Sequence, residues 1–186
     1  IIQAGQPAPE FSLDRYKEEP FTRADLLGRT TVFVFYPFAF SPVCTDQLSV
    51  YNELLDEFAA KGATLYGVSC DATWSQEAFR KQLGLTMPLL SDFHPKGEVT
   101  RAYGALIEPV GHGNRSLVLI DEKGTVAWSH ASPTPAEIPG ANLIFDALTG
   151  AFGLDDGARQ FFLGILVFTF GLDMLLHGFN VASREL

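Results

Sequence analysis

Residues 31–44 of the 186-residue chain read TVFVFYPFAFSPVC, and the change of pattern within this stretch decides the fold. The run Thr31–Tyr36 is apolar, β-branched and aromatic, which predicts a buried central strand that ends at Pro37. Beyond Cys44, apolar residues recur at helical spacing until Gly62, which predicts one helix over this length. The sequence therefore predicts a cysteine in the first turn of a helix that follows a buried strand.

A second predicted strand, Thr64–Ser69 (TLYGVS), follows that helix. Because strand, helix and strand succeed one another within residues 31–69, they form a βαβ unit whose two strands should be parallel. The other predicted elements are a ribbon within residues 1–30, helices at Ser75–Leu83 (with Ser75 as N-cap), Glu98–Tyr103 and Ala141–Leu148, a short strand at Leu89 and Leu90, and a hairpin of Ser116–Ile120 with Thr125–Ser129. The predicted fold class is α/β, with a central mixed β-sheet flanked by helices.

Charge and cysteine usage exclude several classes of function. The chain has 22 acidic and 13 basic residues, a formal net charge of −9 and no basic stripe, so binding to nucleic acid is not expected. Cys44 and Cys70 do not form a CxxC pair, and neither belongs to a Cys/His cluster with metal-ligand spacing. His94 and His112 are separated in sequence and are expected to have surface or turn roles. We therefore expect no metal and no cofactor.

The number of cysteines also indicates the cellular compartment in which the protein is expected. A chain of this length can bury a core without disulfide staples, and two unpaired cysteines favour a reducing compartment. The first residues, IIQAGQPAPEF, lack the charged start and long apolar run of a signal peptide. We therefore expect a cytoplasmic location.

The C-terminal part of the chain has a different pattern. Residues 161–170 (FFLGILVFTF) are apolar on every side of a helix. We therefore divide the chain into a globular domain, residues 1–157, and a hydrophobic C-terminal tail, residues 158–186, which we expect to form an apolar helix. Three alternatives stay open for this tail: burial against the body or a partner chain, the beginning of a membrane segment, or a poorly ordered or altered terminus. Any membrane contact is expected only through this tail.

The residues around Cys44 indicate a reactive thiol. The first turn of a helix offers free N–H groups and partial positive charge, which stabilise a thiolate, and we expect the sulfur to face outward. Ser41 is placed to cap this helix, and Pro37 stiffens the loop before it. Arg115, at the start of a predicted strand, is the best candidate for a guanidinium that pairs with the thiolate. Gln47 lies one turn after Cys44 and is placed to orient that guanidinium.

At these residues the sequence resembles a known family. The spacing Pro37-x-x-x-Ser41-x-x-Cys44 matches the PxxxTxxC signature of the peroxiredoxins, with Ser in place of Thr. Further segments that resemble the family follow in the expected order: AGQPAPEFSL (4–13), VSCDATWSQEAF (68–79), SDFHPKGEVTRAYG (91–104) and NRSLVLIDEKGTV (114–126). The resemblance covers residues 3–150 and is strongest to the actinobacterial one-cysteine type, similar to alkyl hydroperoxide reductase E.

This resemblance implies a thioredoxin-like fold and a thiol-dependent peroxidase with an antioxidant role. It implies that Cys44 reduces hydrogen peroxide and small organic hydroperoxides and becomes a sulfenic acid. The other catalytic residues that the resemblance assigns are Pro37, Ser41 and Arg115, and the substrate-binding positions are Gln47 and the backbone N–H of Val43.

The resemblance also implies that a thiol has to reduce the sulfenic acid again. Cys70 follows a predicted core strand and is expected to be a buried, inert thiol, although a resolving role stays open. Since the chain has no other cysteine, we expect a one-cysteine mechanism with an external reductant: thioredoxin, mycoredoxin or a low-molecular-weight thiol. By analogy with the family, we also expect a homodimer or a larger oligomer.

Two alternatives on the same fold are a thiol–disulfide oxidoreductase and a non-catalytic chaperone or interaction module. The first is disfavoured because Thr45, Asp46 and Gln47 follow Cys44, so no CxxC pair is present. A non-catalytic module is distinguished from a peroxidase by an assay of peroxide consumption, because only the peroxidase consumes peroxide through its cysteine.

Overall fold

The computed structural model describes residues 1–152. The predicted domain boundary between residues 157 and 158 and the predicted apolar helix within residues 158–186 lie outside the described residues. Among the helices of residues 1–152, none has the length and apolar character needed to span a bilayer.

Strands alternate with helices between residues 30 and 102, and four strands then follow one another before the last described helix. The strands are β1 (Ser12–Arg15), β2 (Glu18–Thr22), β3 (Thr30–Phe35), β4 (Ala63–Ser69), β5 (Leu89–Ser91), β6 (Leu106–Ile107), β7 (His112–Gly113), β8 (Ser116–Ile120) and β9 (Val126–Ala131). The α-helices are α1 (Pro42–Glu53), α2 (Leu55–Ala60), α3 (Thr73–Leu83), α4 (Glu98–Ala102) and α5 (Asn142–Phe152). A 3₁₀ turn, Arg23–Leu26, lies between β2 and β3.

Seven of these strands form a central mixed sheet in the order β2-β1-β5-β4-β3-β8-β9, and β6 pairs with β7 separately. β4 runs parallel to both β3 and β5, whereas the other neighbours in the sheet are antiparallel. The predictions of an α/β fold with a mixed sheet, a parallel βαβ unit, an N-terminal ribbon and a β8–β9 hairpin are confirmed. Because β3 and β4 are parallel, the loops that follow them emerge at the same edge of the sheet.

Both faces of β3 are buried, which explains its unbroken apolar run. Val32 and Val34 pack in one hydrophobic core with residues of α1, α3 and α5. Phe33 and Phe35 pack in a second core on the opposite face, where both rings contact Tyr103. The strand is therefore fixed from two sides, and it fixes the start of the loop that leads to α1 and the cysteine.

The prediction of one helix from Cys44 to Gly62 is wrong, because the structure divides this length into α1 and α2. The break lies at Leu54, whose φ of −100° and ψ of 7° end the first helix. The Leu54 N–H bonds to the Tyr51 carbonyl at 3.2 Å, three residues back. Buried side chains such as Phe58 continue at helical spacing across the break, so periodicity alone does not reveal it.

The prediction of Ser75 as the N-cap of α3 is also wrong. The helix begins at Thr73, and Ala72 occupies the N-cap position without a side-chain hydrogen bond. A side-chain cap is a preference rather than a requirement, since the first N–H groups of a surface helix can bond to water. The predicted end is confirmed, because Gly84 follows the helix in the left-handed conformation, with φ of 65°.

Candidate active site

Cys44 lies in the first turn of α1, as predicted. The helix begins with Pro42, and Ser41 is the N-cap whose hydroxyl accepts the Cys44 N–H at 3.4 Å. The N–H groups of a first turn have no partner inside the helix, and they carry the positive end of the helix dipole. The local backbone therefore stabilises negative charge beside the sulfur.

Arg115 reaches this turn from the neighbouring strand. Ser116 pairs with Phe35 in the sheet, so Arg115 lies beside the residue that follows β3. The Arg115 side chain makes three hydrogen bonds: Nη2 to Cys44 Sγ at 3.3 Å, Nη1 to Gln47 Oε1 at 2.6 Å and Nε to the Pro135 carbonyl at 2.6 Å. The contacts that the sequence predicted for Arg115, with the cysteine and with Gln47, are both present.

This guanidinium is a buried cation, since Arg115 is 2% exposed. Within residues 1–152, none of the ion pairs includes Arg115. A buried charge without a counter-charge is costly, and neutral acceptors offset only part of that cost. Of its three acceptors, only the Cys44 sulfur can become an anion. The Cys44 sulfur is therefore the one acceptor of this guanidinium that can supply a counter-charge.

The proline-rich segment between β9 and α5 supplies two backbone carbonyls to the site. Pro135 accepts from Arg115, and Pro139 accepts from the hydroxyl of Tyr51, which lies one turn after Gln47 on α1. Burial raises the pKa of Tyr51 to about 12, so this hydroxyl stays protonated and donates. Sequence reasoning missed both carbonyls, because a backbone acceptor has no residue signature. The sequence offered one signal, the spacing of Gln47 and Tyr51, which places two polar groups that need partners on one face of the helix.

The prediction that the sulfur faces outward is wrong, because Cys44 is 0% exposed. Its neighbour Gln47 is also 0% exposed, and Pro37 is buried at the start of the loop. The guanidinium of Arg115 lies in the interior, and the sulfur that contacts it is buried with it. A small molecule can reach the sulfur only when some of the surrounding atoms move.

Ser41 and Val43 complete the set of predicted positions. Both residues are partly buried. The N–H of Val43, second in α1, has no acceptor within the helix and is free to bind a ligand oxygen. Hydrogen bonds thus join four of the six predicted residues, Ser41, Cys44, Gln47 and Arg115. Pro37 lies in the loop before α1, and Val43 lies in its first turn. The individual roles of the six residues in catalysis stay predictions.

Comparison with known sequences decides the family. Residues 4–129 match the profile of the AhpC/TSA family. The chain belongs to this family of peroxiredoxins. Alkyl hydroperoxide reductase E of Mycobacterium tuberculosis is 30% identical over 149 residues, which cover 80% of this chain and 97% of that protein. Peroxiredoxin tpx1 of Schizosaccharomyces pombe is 36% identical over 135 residues, which cover 67% of this chain and 69% of that protein.

Comparison with solved structures gives the same result for the fold. The crystal structure of peroxidoxin BcpB from Mycobacterium tuberculosis matches with a TM-score of 0.70 at 25% identity, covering 83% of this chain and 99% of that chain. The resemblance inferred from the PxxxSxxC spacing is thereby confirmed, and so is the thioredoxin-like fold. As a peroxiredoxin, the protein is a thiol-dependent peroxidase.

The second cysteine of this peroxiredoxin lies in a different environment. Cys70 directly follows β4 and is 4% exposed, with its Sγ 3.9 Å from Thr100 Oγ1. Burial raises the pKa of the Cys70 thiol, and the nearby Asp92 carboxylate raises it further. A protonated, buried thiol is a poor nucleophile. These observations favour the interpretation of Cys70 as an inert core residue.

The two histidines considered in the sequence have no catalytic contact. His94 is exposed. His112 is partly buried, its ring packs against Phe38 at a centroid distance of 4.8 Å, and its Nδ1 lies 2.9 Å from the Gly113 carbonyl. In the part of the chain that the structure describes, no group of three or more His, Cys, Asp or Glu residues could hold a metal ion.

Proposed function

We propose that this peroxiredoxin uses a one-cysteine mechanism in which Cys44 attacks the peroxide and an external thiol regenerates it. The observation that carries the proposal is the buried pair of Arg115 and Cys44, in which Nη2 donates to Sγ at 3.3 Å and no carboxylate competes for the guanidinium within residues 1–152. This pairing supports a sulfur that is ionised and ready to attack.

The first step is a displacement at oxygen. The Cys44 thiolate attacks one peroxide oxygen, an S–O bond forms, the O–O bond breaks, and the leaving hydroxide or alkoxide takes a proton to become water or an alcohol. The cysteine is oxidised to a sulfenic acid and the peroxide is reduced. In this proposal the Ser41 hydroxyl, the Val43 N–H and the Arg115 guanidinium hold the two oxygens in line with the sulfur. The burial of Cys44 supports hydrogen peroxide and small organic hydroperoxides as substrates.

The second step restores the thiol. An external thiol attacks the sulfenic sulfur, which forms a mixed disulfide and releases water, and a further thiol then reduces that disulfide. Cys70 is excluded from this role in the proposal because it is buried and its pKa is raised. Thioredoxin, mycoredoxin and low-molecular-weight thiols are the proposed classes of reductant.

Replacing Cys70 with alanine tests this route. We expect the Cys70→Ala variant to turn over peroxide with an external thiol at a rate within about twofold of the wild type, since a group outside the reacting atoms contributes little to the barrier. The measurement is steady-state peroxide consumption, together with the mass of the oxidised protein. Loss of turnover with an intact first oxidation would show that Cys70 resolves the sulfenic acid, and an intramolecular disulfide in the wild type would show the same.

We also propose a cytoplasmic location and a homodimer or larger assembly. Both cysteines are free thiols, which supports a reducing compartment. Large apolar side chains are exposed on the described part of the chain, among them Phe40 at 49%, Phe93 at 53% and Val110 at 56%. Exposed apolar surface favours association, which supports self-assembly.

A further inference from the structure

The loop between β3 and α1 is held by a carboxylate that follows the neighbouring strand β4. The backbone N–H of Ala39 donates to Asp71 Oδ2 at 2.8 Å. Asp71 lies just beyond the end of β4, which runs parallel to β3 and pairs Val68 with Phe35. The ladder continues one residue further, because the Tyr36 N–H bonds to the Val68 carbonyl at 3.0 Å. The hydrogen bond from Ala39 to Asp71 therefore continues the contact between the segment after β3 and the segment after β4, and it holds the loop itself.

Asp71 is in turn fixed by bonds to its own surroundings. Its Oδ2 also accepts from the Ser69 hydroxyl at 2.8 Å, and its carbonyl accepts from the Ser91 hydroxyl at 2.6 Å. Gln76 of α3 donates from Nε2 to Ser69 Oγ at 2.9 Å and to the Leu90 carbonyl at 2.8 Å. Ser69 and Gln76 are each 2% exposed. The carboxylate oxygen that holds the loop is thus anchored to β4, β5 and α3.

The loop needs such an anchor, because one of its residues has an unfavourable backbone conformation. Phe40 has φ of 66°, in the left-handed region that an aromatic residue with a Cβ rarely adopts. Residues persist in such conformations only when their surroundings determine them. Ala39 on one side is bonded to Asp71, Ser41 on the other side caps α1, and the Phe40 ring packs against Phe79 at a centroid distance of 5.2 Å.

We propose that Asp71 is a positioning residue for peroxide reduction: through the Ala39 N–H it holds the loop Pro37–Ser41 in the arrangement that presents Ser41 and the first turn of α1 to the peroxide. This inference rests on the proposed function, because it assigns Asp71 a role in the same attack by Cys44. In this role the position of the Asp71 acceptor oxygen determines the rate of peroxide reduction, whereas the negative charge of Asp71 does not affect it. Within residues 1–152, no hydrogen bond uses the second carboxylate oxygen, Oδ1.

Three substitutions at Asp71 distinguish the effect of the acceptor's position from the effect of its negative charge. Asp71→Ala removes the acceptor, and we expect the rate of Cys44 oxidation by hydrogen peroxide to fall roughly 10- to 100-fold, the usual cost of misplaced reacting groups. Asp71→Asn keeps an oxygen acceptor at the same place, and we expect a rate within about threefold of the wild type. Asp71→Glu keeps the charge but moves the acceptor by about 1.5 Å, one C–C bond, and should be slower than Asp71→Asn.

The second readout is the rate at which iodoacetamide alkylates Cys44, followed by peptide mass. Alkylation needs a thiolate but no aligned peroxide, so it should stay equal or rise in Asp71→Ala while the peroxide rate falls. Asp121→Ala is the matched control, because Asp121 also accepts backbone N–H groups, from Lys123 and Thr125, in the turn between β8 and β9. The control should keep the wild-type peroxide rate.

Several results would overturn the inference. It is wrong if Asp71→Ala keeps the wild-type peroxide rate, if its peroxide and alkylation rates fall together, or if Asp71→Glu is faster than Asp71→Asn. The last comparison remains decisive even if Asp71→Ala does not fold. A wild-type protein that fails to react with peroxide would overturn the proposed function and this inference together, whereas the other results leave the proposed function intact.

Discussion

Replacing Cys44 with serine is expected to abolish the stoichiometric reaction of the reduced protein with peroxide. A serine hydroxyl is neutral at neutral pH and is a weak nucleophile, and neither the helix N-terminus nor the buried guanidinium can compensate for the loss of the sulfur. We expect the rate to fall by roughly a thousandfold or more, which is the scale of losing a nucleophile. The measurement is loss of hydrogen peroxide over time after one equivalent is mixed with reduced protein.

The matched control for this prediction is Cys70→Ser, which makes the same chemical change at the other cysteine of the chain. This variant should keep the wild-type rate, since Cys70 lies outside the site. If the wild type and Cys44→Ser consume peroxide equally slowly, the enzymatic account fails, and a non-catalytic role of the fold becomes the better interpretation.

Replacing Arg115 with lysine is expected to slow the reaction of Cys44 with peroxide by roughly 100- to 1000-fold, the range observed when a donor that stabilises a transition state is lost. Lysine keeps the positive charge but presents a single ammonium group. It therefore cannot bond at once to the Cys44 sulfur, Gln47 and the Pro135 carbonyl as the guanidinium does. The measurement is the second-order rate constant of oxidation, with the free energy of unfolding determined in urea on the same samples.

Arg101→Lys serves as the control for the change of arginine to lysine. Arg101 is half exposed and pairs with Glu108 at 2.7 Å, and exposed ion pairs contribute little to stability because water and salt screen them. This variant should therefore keep both the rate and the stability of the wild type. If Arg115→Lys is oxidised at the wild-type rate, the several N–H donors of the guanidinium do not act on the reacting oxygens.

The part of the site that the sequence predicted best depends on local patterns. The apolar run before Pro37 determined β3, and the serine three residues before Cys44 determined the N-cap of α1. Arg115 was predicted from its place at a strand end, and the antiparallel pairing of β8 with β3 brings it to the helix. These predictions succeeded because each depends on sequence distance or on the simple geometry of strands.

The features that the sequence did not reveal depend on contacts between distant segments. Leu54 interrupts a helical pattern whose apolar spacing continues unbroken, and α3 begins at Thr73 without a side-chain hydrogen bond from its N-cap residue Ala72. The Pro135 carbonyl and the bond from Asp71 to the Ala39 N–H involve backbone groups, which every residue carries. Cys44 and its guanidinium partner are both buried, and the pattern of residues next to Cys44 carries no signal for how much of the chain covers them.

We propose above that the Cys44 sulfur is the atom that peroxide oxidises. This proposal is tested by treating the reduced 186-residue chain with one equivalent of hydrogen peroxide in the presence of a sulfenic-acid trap, and then locating the adduct by peptide mass. We predict one adduct per chain, on the peptide that contains Cys44, with Cys70 unmodified. An adduct on Cys70, or peroxide consumption that leaves Cys44 unmodified, would contradict the account.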